Sequence, residues 1–433
     1  MSCWKFGTAT ILLALLAPPA LAAEVAGTWA LYAMDRGEIT DATRLELSVN
    51  GASVTGKGRG LLLTGTLTSS AAGDDISGNV TREDGRPFGS IQIHLHGDEG
   101  AAVITAGGNS RNMTLHRLPG RVTPKTVTFA PKTFPRLFGP GEPALRINAG
   151  DTVRTSTLDA TGRDATDASR ALGGNPQNGP IHVDGAIPGD TLAVTITRIR
   201  LDKKIARGGN TIVPVALTPD YYRDAKLDPR VDGQWTLDTQ GGTAALARPS
   251  EKLKNFKVAL KPMLGGIGVA PARNEAFRTQ QLGSWGGNLD YNGITEGTTV
   301  YLPVSREGAL LYVGDVHALQ GDGELNGDAL ETSAELELKI DVVPGLMTAG
   351  PRAENAEYMM SSGIAGTMEA ALRQATTQLT QWLERDYGLT HSEGAIVLGA
   401  TIEYDIAEVV DPQFHIVAKI RKAALASLTR IQP

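Results

Sequence analysis

Residues 286–331 read GGNLDYNGITEGTTVYLPVSREGALLYVGDVHALQGDGELNGDALE. Two apolar runs in this stretch, residues 298–304 and 309–313, predict short β-strands. The polar side chains beside the runs are predicted to lie on the adjoining loops: Asp290, Asp315, His317, Gln320, Asp322 and Glu324. Because reactive groups are often carried on loops that rigid strands hold in place, the stretch is typical of an active site.

The spacing of these side chains favours a bound metal ion. Asp315 and His317 are two residues apart, so on an extended segment both side chains point to the same side. The turn at residues 321–323 can fold the chain back and bring the Glu324 carboxylate close to the ion, where it would act as a general base. A solvated, glycine-rich turn without a metal is the alternative interpretation.

The composition predicts a mainly β protein. A length of 433 residues suggests two or three domains. With 51 glycines, 23 prolines and only 5% aromatic residues, the chain favours strands joined by tight turns over long helices. A formal net charge of −6 argues against a nucleic-acid partner, because such proteins cluster Lys and Arg.

The first residues predict export. Residues 1–23 combine Lys5, an apolar run at 9–16 and small residues ending at Ala23, which is the pattern of a signal peptide. The apolar run is shorter than the roughly 20 residues that a membrane span requires, so we expect no membrane span and a periplasmic or secreted protein. Cys3 is the only cysteine and lies in the segment to be removed, which leaves no disulfide.

Residues 24–120 predict a small antiparallel β domain of unknown role. Apolar residues alternate with polar ones before Asn50-Gly51, a favoured hairpin turn, and again after Asp84-Gly85. His94 and His96 share the polar face of one predicted strand, as exposed edge residues or as a metal pair. A lid, an oligomerisation surface and an anchor to the cell envelope remain open as roles for this domain.

Residues 123–433 predict further strands and two late helices. From residue 367 the apolar spacing changes to three and four, with Thr367 as N-cap and Gly388 as the stop signal. A second helix is predicted to begin at Thr390, which forms a capping box with Glu393. Residues 201–257 show no regular pattern and are interpreted as loops.

The quoted stretch resembles the signature of the acetamidase/formamidase family, in which a GGNxD turn, an apolar strand ending in LPV and a GDxHxxQGDGE loop follow one another. Here they stand as GGNLD at 286–290, YLPV at 301–304 and GDVHALQGDGE at 314–324. Two more blocks are similar, NGPIHVDGAIPGDTLAV at 178–194 and KPMLGGIGVAP at 261–271. The resemblance covers residues 123–433 and implies a jelly-roll-like β-sandwich amidase domain with a small α+β part, preceded by the small antiparallel β domain.

The resemblance also implies a reaction and its residues. The expected reaction is the metal-dependent hydrolysis of a small carboxamide to a carboxylate and ammonia by a homo-oligomer. Zinc is favoured by the imidazole ligand, with calcium or magnesium as alternatives. The expected roles are metal ligation by Asp159, Asp290, Asp315 and His317; general-base catalysis by Glu324; oxyanion stabilisation by Gln320 and the turn at 321–323; and substrate binding by Asn175, Gly287 and Asn288.

The sequence also bears on the specificity of the reaction and on the alternatives to it. Many relatives carry a histidine-proline or an asparagine-proline pair before the 178–194 block, and this chain has Asn175-Pro176-Gln177 there, so Asn175 offers an amide where a histidine would offer an imidazole. The alternative function is a non-catalytic envelope protein that uses the same fold to bind a ligand or a structural ion. Because the chain has no G-x-S-x-G motif and no cysteine after residue 3, the sequence offers no competing nucleophile.

Overall fold

The computed structural model describes residues 25–35, 38–120 and 122–431. The predicted signal peptide, residues 1–23, lies outside the described residues. The chain divides into two compact units, Met1–Gly120 and Arg121–Pro433, each with its own hydrophobic core. Strands are numbered below in chain order.

The first unit is a closed antiparallel β-barrel. Each strand pairs with the next, and β1 pairs with β8 to close the barrel, with Leu31 opposite Leu115. The barrel strands are β1 (Gly27–Asp35), β2 (Glu38–Asn50), β3 (Ser53–Gly58), β4 (Leu61–Ser70), β5 (Gly73–Arg82), β6 (Pro87–His96), β7 (Glu99–Ala106) and β8 (Asn109–Arg117).

The antiparallel β fold predicted for this unit is confirmed, and Asp84-Gly85 lies in a turn; the first hairpin turns one residue later than predicted, at Gly51-Ala52, with Asn50 paired to Ser53. Closure into a barrel was not predicted, because it depends on pairing between the first and last strands. His94 is exposed, and its Nδ1 lies 2.8 Å from Asp75 Oδ1.

The second unit is a sandwich of two large sheets. The nine-stranded sheet has the spatial order β29-β30-β28-β27-β23-β14-β26-β12-β9. Its strands are β9 (Thr126–Phe129), β12 (Thr152–Ser156), β14 (Thr191–Leu201), β23 (Thr299–Pro303), β26 (Ala334–Val343), β27 (Arg352–Glu354), β28 (Tyr358–Ala365), β29 (Glu403–Glu408) and β30 (Phe414–Arg421).

The facing sheet has the order β18-β17-β16-β15-β25-β24-β19-β22-β21, with β13 on β24 and β11 on β13. Its strands are β11 (Leu145–Asn148), β13 (Asn178–Asp184), β15 (Ile205–Arg207), β16 (Gln234–Asp238), β17 (Thr243–Leu246), β18 (Lys257–Ala259), β19 (Met263–Val269), β21 (Leu282–Gly283), β22 (Gly286–Asn288), β24 (Leu311–His317) and β25 (Glu331–Thr332). A separate pair is formed by β10 (Leu137–Phe138) and β20 (Phe277–Arg278).

One core joins the two sheets. Val194 and Leu338 from the first sheet and Ile267 and Val313 from the second belong to the same buried cluster. Burial of so many aliphatic side chains between two layers is the main stabilising contribution to this unit. The predicted sandwich is therefore confirmed.

Helices cover a small part of the second unit: α1 (Pro219–Asp224), α2 (Met368–Tyr387) and α3 (His391–Thr401), with 3-10 turns at Pro214–Ala216 and Lys422–Leu425. Thr367 caps α2 by accepting the N–H of Ala370, and Gly388 ends it with a φ of 66°. The predicted capping box of α3 is present. No helix in the described ranges is long and apolar enough to span a membrane.

The structure differs from two predictions of secondary structure. The strand predicted at 309–313 is β24 and continues to residue 317, so Asp315 and His317 lie on a central strand instead of a loop. Residues 201–257, interpreted as loops, contain β15, β16, β17 and α1. Short strands that pair at a sheet edge bury too few side chains to leave a clear alternating pattern.

Candidate active site

Four short elements bring several polar groups of the quoted stretch together. His317 and Asp315 come from the end of β24, and Asp290 follows β22, which is two strands away across β19. Glu331 begins β25, where its backbone is directly opposite His317. Glu324 returns from the loop after β24. These five side chains are between 0% and 8% exposed, so the cluster lies inside the protein.

The five side chains converge on one small volume. Three carboxylate oxygens face His317 Nε2: Asp290 Oδ1 at 3.7 Å, Asp315 Oδ1 at 3.7 Å and Glu331 Oε1 at 3.1 Å. Potential ligand atoms of Asp290, His317 and Glu324 lie within 4.8 Å of one another, as do those of Asp315, His317 and Glu331. This set of oxygens and one imidazole nitrogen matches the donors of a divalent metal site.

The hydrogen bonding of the cluster is incomplete. Asp290 Oδ1, Asp315 Oδ1, His317 Nε2 and Glu331 Oε2 are buried and have no hydrogen bond. Buried polar atoms are ordinarily satisfied, so unsatisfied atoms that face one another are suited to a positively charged partner. A cation at this point would satisfy them, and the residues therefore fit a metal ion.

The packing at Gly265 on β19 shows how closely the cluster is enclosed. A Cβ atom at this position would lie 2.4 Å from Asp290 Oδ1, 2.9 Å from the Asp315 carbonyl oxygen and 3.1 Å from His317 Cε1. Only glycine leaves room for these groups to meet.

The pKa shifts of the clustered side chains also fit a bound cation. Burial and the charge of Glu324 raise the pKa of Asp290 well above its usual value. Burial raises the pKa of Glu331 to about 8. Burial lowers the pKa of His317, but the carboxylates of Glu331 and Asp315 outweigh it and hold that pKa well above its usual value. Acids packed this closely keep protons unless a cation balances their charge.

Gln320 orients the imidazole. Its Nε2 donates to the carbonyl oxygens of Asp290 and of Ala407, the latter at 3.1 Å. Its Oε1 is therefore the acceptor 2.9 Å from His317 Nδ1, and this hydrogen bond turns Nε2 toward the cluster. Both amide protons of Gln320 are engaged, so we correct its predicted oxyanion role to that of a positioning residue.

The turn at 321–323 is also less available than predicted. The N–H of Gly323 donates to the Ile406 carbonyl oxygen at 2.8 Å, so it is not free for an oxyanion. Asp322 is exposed and accepts a hydrogen bond from Asn292 Nδ2 at 2.7 Å. The structure does not bring Asp322 into the cluster.

The Glu324 carboxylate lies in the cluster, and a backbone N–H donates to one of its two oxygens. Its Oε1 accepts the N–H of Ala329 at 3.0 Å. Burial raises the pKa of Glu324 to about 8, which is close to the value that suits a general base near neutral pH.

The predicted substrate-binding residues have different positions. Asn175 is half-buried, and its Nδ2 donates to Asp315 Oδ2 at 2.7 Å and to Asn288 Oδ1 at 2.9 Å. Asn288 in turn donates to Asp290 Oδ2. Gly287 is paired on both sides within the sheet, and a Cβ there would lie 2.2 Å from the Gln281 carbonyl oxygen. We therefore correct the role of Gly287 from substrate binding to close backbone packing.

Asp159 is not brought to the cluster. Its Oδ2 pairs with Lys203 Nζ at 2.7 Å, and both side chains are 2% exposed. Its Oδ1 accepts the N–H groups of Thr161 and Arg163, each at 3.0 Å. The metal role predicted for Asp159 is thus corrected to a structural one, in which it ties the following loop to the sheet.

Sequence reasoning missed Glu331 and Asp411, together with Glu408, whose Oε2 accepts the N–H of Asp411 at 3.0 Å. Glu331 follows the apolar pair Ala329-Leu330 and starts a short strand, and this interruption was the only signal. Asp411 Oδ2 accepts from Asn288 Nδ2 at 3.1 Å, and burial raises the pKa of Asp411 to about 7. Burial also raises the pKa of Glu408, which is 0% exposed, to about 8.

Backbone strain is concentrated at the cluster. Asp290, Asp315, Glu324 and Asn175 have φ values of 37°, 57°, 48° and 53°. Non-glycine residues avoid this region unless the surrounding structure enforces it, and such strain is common at functional sites.

The second unit is similar to several known proteins. A sequence model of the Acetamidase/Formamidase family matches residues 245–421. An acetamidase of Mycolicibacterium smegmatis is 32% identical over 134 residues, which are 31% of this chain and 27% of that protein. A formamidase of Methylophilus methylotrophus is 29% identical over 175 residues, 35% of this chain and 43% of that protein. The matches thus span less than half the length of these curated relatives.

The structural comparison covers more of this chain than the sequence comparisons do. The crystal structure of an acetamidase from Yersinia enterocolitica is similar with a TM-score of 0.59 and 29% identity, covering 71% of this chain and 94% of that one. The uncovered part of this chain is comparable in length to the barrel unit. The family model, the sequence relatives and the shared sandwich fold together show that the second unit is similar to the acetamidase/formamidase family.

Proposed function

We propose that the chain is an amidohydrolase that splits a small carboxamide into a carboxylate and ammonia with the help of a divalent metal ion. The observation that carries the proposal is the set of buried, unsatisfied atoms on Asp290, Asp315, His317 and Glu331. Similarity to the acetamidase/formamidase family supports the choice of substrate. The imidazole favours zinc, whereas the number of carboxylates leaves calcium and magnesium as alternatives.

The ion would be held by Asp290, Asp315, His317 and Glu331, and when bound it would polarise the amide carbonyl and acidify water. The other residues of the cluster hold these ligands in place. Gln320 fixes the imidazole, and Asn288 fixes the Asp290 carboxylate.

Glu324 would transfer the proton of the attacking water. The Ala329 N–H holds its Oε1, which leaves Oε2 to accept a proton from the attacking water and return it to the departing nitrogen. Its raised pKa allows both transfers near neutral pH.

The burial of the site favours a small amide. Every ligand of the cluster is at least nine-tenths buried, and half-buried Asn175 stands at its edge. A cavity of about 780 Å³ elsewhere in this unit is lined by Thr128, Arg154, Arg170 and other residues that are not part of the cluster. We therefore expect formamide and acetamide to be better substrates than extended amides.

The test is to measure ammonia released from formamide, acetamide and longer amides by the purified protein, before and after treatment with a chelator. We expect activity that falls with amide length, is lost on chelation and returns with a divalent ion. Bound metal without ammonia release from any amide would favour the alternative, a non-catalytic ion-binding protein.

Export and assembly belong to the same proposal. The signal-like pattern of residues 1–23 supports export to the periplasm or the medium, and protein isolated from the native host should begin near Ala23 or Glu24. Recovery of an intact Met1 from the envelope would contradict export.

The homo-oligomer implied by the family resemblance is tested by light scattering, and the mass of a single chain would contradict it.

A further inference from the structure

The barrel of the first unit is packed at one end only. At the closed end Trp29, Val54 and Leu115 are 0% exposed, and Trp29 Nε1 donates to the Val25 carbonyl oxygen at 3.0 Å. The guanidinium of Arg117 lies 4.4 Å from the centre of the Trp29 ring and covers it. This end leaves no room for a ligand.

The other end of the barrel contains a cavity. Its volume is about 340 Å³, which is within the roughly 300–1,000 Å³ usual for small-molecule sites. The side chains that line it are mostly apolar, among them Leu61, Leu63, Phe88, Ile91, Ile104 and Met113. Protein interiors rarely leave apolar space of this size empty, and an eight-stranded barrel is wide enough to hold one small ligand.

The mouth of the cavity carries an excess of positive charge. Arg59 and Arg111 both line it, and both guanidiniums approach the single carboxylate of Asp41. Arg111 Nη1 lies 3.6 Å from Asp41 Oδ2, and its Nη2 donates to Thr40 Oγ1 at 3.4 Å. Two cations share one anion, and more than half of each arginine side chain is exposed. An anionic group at the rim would therefore be attracted.

We propose that this barrel binds a monoanionic amphiphile, a carboxylate with an unbranched acyl chain. The chain occupies the apolar cavity, and the carboxylate lies at the mouth against Arg59 and Arg111. The site is independent of the amidase proposal, since every residue that lines it belongs to the first unit.

Calorimetric titration of the intact, delipidated protein with octanoate, decanoate and dodecanoate tests the site. Each two added methylenes should tighten binding by roughly tenfold until the cavity is full. Decanol and decylamine, which lack the anion, should bind about tenfold or more weakly than decanoate. Absence of binding by all three carboxylates, or equal binding of decanol and decanoate, would overturn the proposal.

Variants distinguish the two halves of the site. Replacing both arginines, Arg59→Gln with Arg111→Gln, should weaken decanoate by about tenfold and leave decanol unchanged. Ile104→Trp should fill the cavity and weaken all ligands. The matched control is Arg86→Gln, which removes an exposed arginine from the β5–β6 turn outside the cavity lining. If Arg86→Gln weakens decanoate as much as the double variant does, the specific role of the mouth is refuted.

Discussion

At the scale of single residues, Glu324 and His317 differ in their surroundings, and this difference separates their proposed roles. His317 is fixed through Nδ1 by Gln320, and its Nε2 faces three carboxylates. Glu324 is held at one oxygen only and lies beside the same imidazole. One residue is placed to hold an ion and the other to move a proton.

Replacing Glu324 with Gln should therefore lower turnover by about 10²–10⁴-fold, the usual contribution of a positioned general base, with metal content unchanged. Asp322→Asn is the matched control, because Asp322 lies on the same turn but is exposed. Ammonia release and elemental analysis measure the two effects. If Glu324→Gln has nearly the activity of the parent protein, Glu324 is not the general base. If Glu324→Gln loses the metal, Glu324 is a metal ligand.

At the scale of elements, the loop after β12 depends on a buried ion pair. Asp159 joins Lys203 to the backbone of residues 161–163, and Arg207 lies 3.4 Å from the same carboxylate oxygen. The pair therefore connects this loop to the region between β14 and β15.

Asp159→Asn should destabilise the protein by about 3 kcal/mol, because it leaves the buried Lys203 ammonium without its nearest anion. Asp167, which lies 3.0 Å from Lys203, keeps the loss at the lower end of the range for broken buried pairs. Denaturant unfolding measures the effect. Metal content should not change, and loss of the metal from a folded Asp159→Asn protein would restore the predicted ligand role.

Local signals were sufficient for some elements and insufficient for others. The bounds of α2 follow from Thr367 and Gly388, because caps act on the nearest turn. Glu331 escaped notice because its partner His317 is brought opposite it by strand pairing, which leaves no pattern in the sequence. The ion pair of Asp159 could not be predicted for a related reason. An aspartate at the end of a strand has the same sequence pattern whether it binds a metal or pairs with a lysine.

At the scale of the whole molecule, the candidate site is built entirely from the second unit. Its ligands and their hydrogen-bonding partners lie between residues 175 and 411, and this unit has its own core. The family motifs predicted the sandwich, whereas the barrel could be predicted only as antiparallel strands, since its closure depends on the distant pairing of β1 with β8.

A truncated chain that begins at residue 121 should therefore keep its amidase activity when it folds. Circular dichroism checks the fold, and ammonia release is compared with that of the full-length protein. A folded, metal-loaded truncated chain without activity would show that the barrel supplies part of the site.

The metal content of the purified protein tests the central claim most directly. We predict stoichiometric divalent metal in the parent protein and in the Asp322→Asn control, and its loss together with activity in His317→Ala and Glu331→Gln. Circular dichroism of each variant confirms that it remains folded. Full amidase activity in metal-free parent protein, or retained metal in both ligand variants, would contradict the claim that this buried cluster holds a catalytic ion.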